Sequence, residues 1–370
     1  MSGKGSKTLV KRRVVRDERT GREQWFVSPE GVQSGATYMY VRQFTPDERY
    51  LFYVSELTGA PRLYRYEIAS GELTQVSADE GELGWENFHV HPAGREVYYV
   101  AGGVYHAADV ETLETRVVFD PVKRGYGPAR QLLMFSRSGR WFSFSFKDKD
   151  GRECVGRCSS DGRDVQTLHS RPEGEGVQHL MFCNAPDEDL MSFSPAPDHQ
   201  QEWDAPWEYR ARTYLLNAAT GAVEPFLVLP KPFTATHDFW SPNGDRLYFH
   251  KKTRPTWVPT WICSIERDTR EVRTWYEHDE YKLGHSYATK DERWLVSDSQ
   301  EPDNNPLVLI EAATGKGQVL CWPDSRVTPG HKGYSHVHPT FSPSNRYVLY
   351  TTDRGGIGQV VMVPVPEVRA

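Results

Sequence analysis

A chain of 370 residues with 44 Lys and Arg against 50 Asp and Glu carries a formal net charge of −6, which excludes a strongly basic nucleic-acid binder. Hydrophobic residues make up 38%, enough together with glycine for a globular core. No apolar stretch of about eighteen residues and no signal-type segment occurs, so a cytoplasmic protein with no membrane partner is expected.

The five cysteines, Cys154, Cys158, Cys183, Cys263 and Cys321, are scattered and odd in number. That pattern fits reduced, buried thiols better than a disulfide framework. The Cys154/Cys158 pair lacks the second pair that a structural zinc site needs.

In chain order, one motif recurs seven times: a short apolar strand, a turn resembling Ser-Pro-Asp-Gly, and an aromatic strand. Its copies are FTPDERYLFYV, VHPAGREVYYV, FSRSGRWFSFS, NAPDEDLMSFS, WSPNGDRLYFH, ATKDERWLVSD and FSPSNRYVLYT. Marked at Pro46, Pro92, Arg137, Pro186, Pro242, Lys290 and Pro343, the copies lie 46, 45, 49, 56, 48 and 53 residues apart. A second hairpin follows most copies, as in LYRYEIASGELTQV and RTYLLNAATGAVEPF. Alternation within them has period two, and Ser-Gly, Asp-Gly and Thr-Gly turns supply the positive φ of tight hairpins.

Four antiparallel strands per unit and seven units predict an all-β, seven-bladed β-propeller spanning residues 1–370 as one domain. The last unit ends one strand short. The strand Glu23 to Val27, which precedes the first unit, is expected to pair with the C-terminal blade, close the ring and hide two sheet edges. Residues 1–12 are expected to be a flexible tail, and the run Lys7, Lys11, Arg12, Arg13 and Arg16 a solvated terminus.

A propeller is only a scaffold, so function must come from a site. Counting back from the first residue of each turn, His237, His285 and His338 fall at position −4, and His336 and His179 at −6. Even offsets share one face of the innermost strand, which lines the central channel. Five histidines occupy eight such places in the last four units, where 13 histidines in 370 residues predict about 0.3. Converging neutral imidazoles suit a divalent transition metal, and His336, His338 and His285 would be three protein ligands that leave coordination positions open for catalysis. His89, His91 and His106 lie away from this cluster and are read as structural.

Several segments resemble the oligogalacturonate lyases, seven-bladed intracellular propellers of pectin breakdown. FTPDERYLFYVSELTGAPRLYRYEIASGELTQVS is similar to their first blade, THDFWSPNGDRLYF to their G-H-E-F-W-S-P-D-G segment, and HVHPTFSPSNRYVLYTTDRGG to their H-P-H-P-S-F-S-P-D end. The resemblance implies a metal-dependent β-elimination on short oligogalacturonides, with Mn²⁺ held by His285, His336 and His338, His237 as the base, and Arg212 in ARTYLLN matching the family's arginine.

Two departures stand out. Gly333 occupies the place of the family's glutamine ligand, leaving His331 or water as the fourth ligand. The insertion SPAPDHQQEWDAPW replaces the family's H-E-G-P-W. Trp203 and Trp207, with Arg210 and His179, are candidate substrate-binding residues there, since an aromatic ring can stack on a sugar. A small uronide oligosaccharide is the expected partner. A lyase acting on another uronic-acid glycoside and a noncatalytic propeller that binds a protein are the alternatives.

The chemistry suits these residue types. Removing the C5 proton beside a carboxylate requires that the carboxylate charge be neutralised, by a Lewis acid or by an arginine clamp. An imidazole titrates near the operating pH, as a general base should.

Overall fold

The structure, a computed structural model, describes residues 3–368 apart from 79–80, 82, 130–133, 198–199, 201, 302–304, 327–335 and 366–367. It is a seven-bladed β-propeller of antiparallel sheets, only 2% helical. The first blade runs Ser34–Gly35, Tyr50–Ser55, Arg62–Glu67 and Glu72–Gln75, and the second Leu83–Val90, Glu96–Ala101, Val104–Asp109 and Thr115–Phe119. The third contains Trp141–Lys147, Glu153–Ser159 and Val165–Ser170, with an inner bridge from Phe135 to Phe142. Gly176–Phe182, Phe233–Trp240 and Leu283–Ala288 open the fourth, fifth and sixth, each of four strands.

The seventh blade decides how the chain ends meet. Thr340–Phe341, Tyr347–Thr352 and Gln359–Pro364 pair in order, and the N-terminal strand Glu23–Phe26 then adds to Gln359–Pro364 with Phe26 opposite Val361 and Trp25 opposite Met362. Arg13–Arg16 adds outside it as a fifth strand. The closing strand is fastened on both sides: Val27 donates its N–H to the Val360 carbonyl, and the Tyr53 hydroxyl donates to the Val27 carbonyl.

The first residues are not the expected flexible tail. Lys7–Leu9 pairs with Glu72–Thr74 as a fifth strand on the first blade. Nor is the basic run merely solvated: the guanidinium groups of Arg12 and Arg13 lie 4.0 and 4.1 Å over the rings of Trp25 and Phe26. An unpaired outer edge exposes backbone donors and acceptors, and the apolar rings give arginine a face to cover.

The chain divides into two compact units, Met1–Glu86 with Val258–Ile262 and Trp275–Ala370, and Asn87–Trp257 with Cys263–Thr274. In the first, Leu51, Tyr53, Tyr64 and Tyr66 pack with Leu349, Val360 and Met362, so the terminal strands share a core with the first blade. In the second, Tyr98, Tyr105, Phe142 and Phe144 form one core, and Val155, Phe182, Phe193 and Leu216 belong to another. All five cysteines are buried free thiols.

The repeated turns bend through residues of positive φ, namely Glu48, Gly94, Gly139, Gly244, Glu292 and Asn345. The fourth turn differs. There the Cys183 N–H reaches the Leu190 carbonyl, seven residues on, whereas in the fifth blade Ser241 reaches Arg246, five on. This two-residue excess matters for the site.

Glu48 also staples the first turn to the last. Its carboxylate accepts from the Ser344 N–H at 2.5 Å and from Arg346 at 2.7 Å. Burial alone would raise the Glu48 pKa, but the Ser344 bonds and Arg346 outweigh it and hold the carboxyl below its usual value.

Two outcomes follow for stability. Deleting residues 1–28 should lower the melting temperature by roughly 10 °C or more, since an apolar strand and two protected edges are lost; an unchanged transition would count against closure. Glu48→Gln should lose about 1–2 kcal/mol at pH 7. A depressed folded pKa stabilises fully above the unfolded value of about 4.3, and that contribution disappears as pH falls through the folded value. Denaturant titrations of the two proteins should therefore converge as the pH falls below the depressed folded value.

Candidate functional site

In the fourth, fifth and sixth blades the first strand carries a histidine at one place, and in the seventh the histidine stands two residues before the strand Thr340–Phe341. Each strand's first turn residue is marked by its return hydrogen bond, from Cys183, Ser241, Thr289 and Ser342. Four residues before these marks stand His179, His237, His285 and His338. His179 thus lies at −4 and not at the expected −6, because the longer fourth turn shifts the count by two. Only His336 occupies −6.

These strands are not regular. Register shifts fall between Gln178 and Met181, between Thr236 and Phe239, and between Leu283 and Ser286. His179, His237 and His338 adopt φ of 51°, 51° and 45°, a left-handed conformation uncommon for a residue with a side chain. Bulges redirect side chains and occur beside functional sites. The simple rule that even offsets share a face therefore gives way to bulge geometry at this level.

In the first unit, His285, His336 and His338 place one ring nitrogen each within 4.8 Å of one another. Ring centroids of His285 and His338 are 4.1 Å apart, and each lies 5.5 Å from that of His336. The Nε2 atoms of His285 and His338 approach to 3.2 Å. Two metal–nitrogen bonds of about 2.05 Å at 90–109° would separate their nitrogens by about 2.9–3.4 Å, so the donor set fits a small divalent transition ion.

Asp298 orients this set. Its Oδ1 accepts the His285 backbone N–H at 2.6 Å, and its Oδ2 lies 2.9 Å from His285 Nδ1 and 3.3 Å from the His338 backbone nitrogen. A proton on Nδ1, shared with the carboxylate, leaves the Nε2 lone pair for a metal. Burial alone would raise the Asp298 pKa, but His285 and its hydrogen bonds, with His336, hold it low.

Gly284 is required at this spot, since a Cβ there would meet Gln300 Cγ at 2.4 Å and Asp298 Oδ1 at 2.9 Å. Burial, followed by the charge of His285, depresses the His336 pKa and so favours its neutral, ligating form. Tyr38 packs edge-on against His338 and His285 at 4.4 and 5.6 Å, and a Glu86 oxygen is 3.8 Å from His338 Nδ1. His331 and Gly333 lie outside the described residues.

In the second unit, Arg212 and His237 are joined through a residue the sequence reading passed over. Asp238, fully buried, receives Arg212 Nε and Nη2 on Oδ1 at 2.9 Å each, and the Thr213 hydroxyl on Oδ2 at 3.0 Å. Burial would raise the Asp238 pKa, but Arg212 and then His179 hold it low. Arg212 is therefore anchored on the residue beside His237, and this edge of its guanidinium is committed to Asp238. The His237 ring stands 6.1 Å from that of His250.

The insertion is moored to the same strand, because the Gln200 amide exchanges two 2.7 Å hydrogen bonds with the Ala235 backbone. Trp203 is half-buried, Trp207 is 51% exposed, and Arg210 ends the short turn Trp207–Tyr209. Nothing in their contacts joins Trp203 or Trp207 to His237. His89 packs on Phe135, His91 bonds the Gly139 carbonyl, and His106 stacks on Tyr99, as structural histidines do.

No protein-family model matches the chain. Curated relatives do: an oligogalacturonate lyase of Dickeya dadantii (strain 3937) and an oligogalacturonide lyase of Pectobacterium atrosepticum are each 21% identical over 397 aligned residues, 98% of either chain. The chain resembles the oligogalacturonate lyases from end to end. Among solved structures, an oligogalacturonate lyase in complex with manganese superposes with a TM-score of 0.86 at 19% identity over 99% of both chains. An oligogalacturonate lyase from Vibrio parahaemolyticus gives 0.85 at 17% identity, over 99% of this chain and all of that one. Blade number and strand order are thus those of the lyase fold.

Asp298 generates a sharp expectation. Asp298→Asn should weaken metal affinity about 10–100-fold while the fold persists, and His336→Ala should lower the metal content measured by plasma mass spectrometry. Full occupancy in His336→Ala would exclude it as a ligand.

Proposed function

We propose that this protein is a metal-dependent lyase that cleaves short oligogalacturonides by β-elimination, serving pectin breakdown. The observation that carries the reading is the trio His285, His336 and His338, oriented by Asp298, on a propeller that resembles oligogalacturonate lyases along its whole length. A noncatalytic scaffold has no use for three convergent imidazoles with a buried carboxylate behind them. Among the described residues no helix is long and apolar enough to cross a membrane.

The trio would hold a divalent ion, for which we propose Mn²⁺, and a bound ion supplies Lewis-acid neutralisation of a uronate carboxylate. His237 is the proposed base. It takes the C5 proton, the electron pair of that C–H bond forms the C4–C5 double bond, and the C4–O bond breaks. The departing sugar oxygen takes a proton from water, and His237 returns the C5 proton to the resulting hydroxide, so atoms and charge balance.

Arg212, held by Asp238 and Thr213, would serve as a preset positive charge beside the base and stabilise negative charge as it develops. A guanidinium fixed before substrate arrives costs no reorganisation at the moment of reaction. Arg210, Trp203, Trp207 and His179 are proposed to contact the sugar.

Incubation of the metal-loaded protein with a panel of uronide disaccharides, followed by product chromatography, tests the reading. Digalacturonate should be split into monomeric products, and chelation should abolish turnover. His237→Ala should retain metal and melting temperature while losing at least about 10²–10⁴-fold in kcat; an active variant would remove His237 from the base role.

A further inference from the structure

Two imidazoles of the trio face each other through the same atom. His285 Nε2 and His338 Nε2 are 3.2 Å apart, a separation that suits a hydrogen bond between the rings as well as two ligands on one ion. Which of the two forms depends on where His338 carries its proton. On Nδ1, it leaves both Nε2 lone pairs for a metal. On Nε2, it makes the ring a donor to His285 and closes the metal's place.

Asp298 settles the matter for His285, because its carboxylate meets that ring at Nδ1. It meets His338 at the backbone nitrogen, 3.3 Å away, and so fixes the main chain of that residue without selecting a ring nitrogen.

Glu86, on the strand Leu83–Val90, is the acid placed to select it. An oxygen of its carboxylate stands 3.8 Å from His338 Nδ1. The side chain is half-buried, and a shift of less than about 1 Å brings the two atoms within hydrogen-bond range. Its main chain is tied to the segment that packs on the trio. The Thr37 hydroxyl donates to the Glu86 carbonyl at 3.0 Å, and the Thr37 N–H donates to the Gln43 side chain at 2.9 Å. The next residue, Tyr38, lies edge-on to His338 with ring centroids 4.4 Å apart. One short stretch of chain thus holds both Glu86 and the ring it faces.

We infer that Glu86 is a positioning residue for the metal site: its carboxylate accepts the Nδ1 proton of His338, keeps the Nε2 lone pair on the ion's side and prevents the two imidazoles from closing on each other. It does for the histidine of the seventh blade what Asp298 does for that of the sixth. The inference rests on the proposed metal trio.

The test uses the full-length protein, its Glu86→Ala and Glu86→Gln variants, and Mn²⁺ alone as the probe. Two-bond proton–nitrogen NMR spectra of the metal-free protein read the His338 tautomer, its signals being assigned by their absence from His338→Asn. The wild type should show the Nδ1–H form and Glu86→Ala mainly the Nε2–H form, with Mn²⁺ affinity about 10–100-fold weaker by calorimetric titration. Glu86→Gln, whose side-chain carbonyl still accepts the proton, should keep most of the Nδ1–H form and fall short of that loss. Both variants should keep the wild-type melting temperature, whereas a packing role would lower it and leave the tautomer unmoved. The wild-type spectrum tests the tautomer without any variant. A wild-type His338 protonated on Nε2, a tautomer unchanged in Glu86→Ala, or equal Mn²⁺ affinities would overturn the assignment.

Failure of the metal reading is visible separately. If the wild type binds no Mn²⁺, the trio fails as the proposed manganese site, and the tautomer comparison still decides Glu86: a change in Glu86→Ala supports its hold on His338, and no change refutes it.

Discussion

One carboxylate sets the geometry on which the trio depends. Asp298 comes from the second strand of the sixth blade and accepts from the backbone and ring of His285 while reaching the His338 backbone of the next blade. It fixes a tautomer and two main-chain positions with one buried charge. Without it, two imidazoles 3.2 Å apart would have no fixed arrangement of proton and lone pair, and a metal would have to order them on binding. Gly284 exists at that point because any larger residue would keep the carboxylate away.

The second unit repeats the device with different partners. Asp238 follows a bulged, positive-φ histidine and binds a guanidinium and a hydroxyl. In both units a buried acid on or beside a bulged first strand fixes a basic group, so blades that share one architecture present different chemistry. In the first two blades the equivalent place is Val41 and Asn87, neither of which suits a base or a metal trio.

Seven repeats, their turns and the closing N-terminal strand were legible because hairpin chemistry is local and recurs. Four of the five histidine levels were also legible, since the turn is a landmark close to them in sequence. His179 was misplaced by two because the fourth turn is longer, and only the pairing of Cys183 with Leu190 reveals the true landmark. The strand Lys7–Leu9 leaves no mark in the sequence because three exposed residues carry no periodic signal, and an open sheet edge recruits them through backbone bonds and the Lys7–Glu72 ion pair.

Composition and repeat spacing by themselves determined an all-β propeller and the set of imidazoles from which a site could be made, because period-two alternation and turn residues act over a few positions. Tertiary structure alone decided the partners: Asp298 under His285, and Asp238 on Arg212. Both pairings join residues from separate segments of the chain, with side chains turned by bulges or buried away from water. Such directions depend on backbone dihedrals and on neighbours distant in sequence, and no local pattern of residues encodes them.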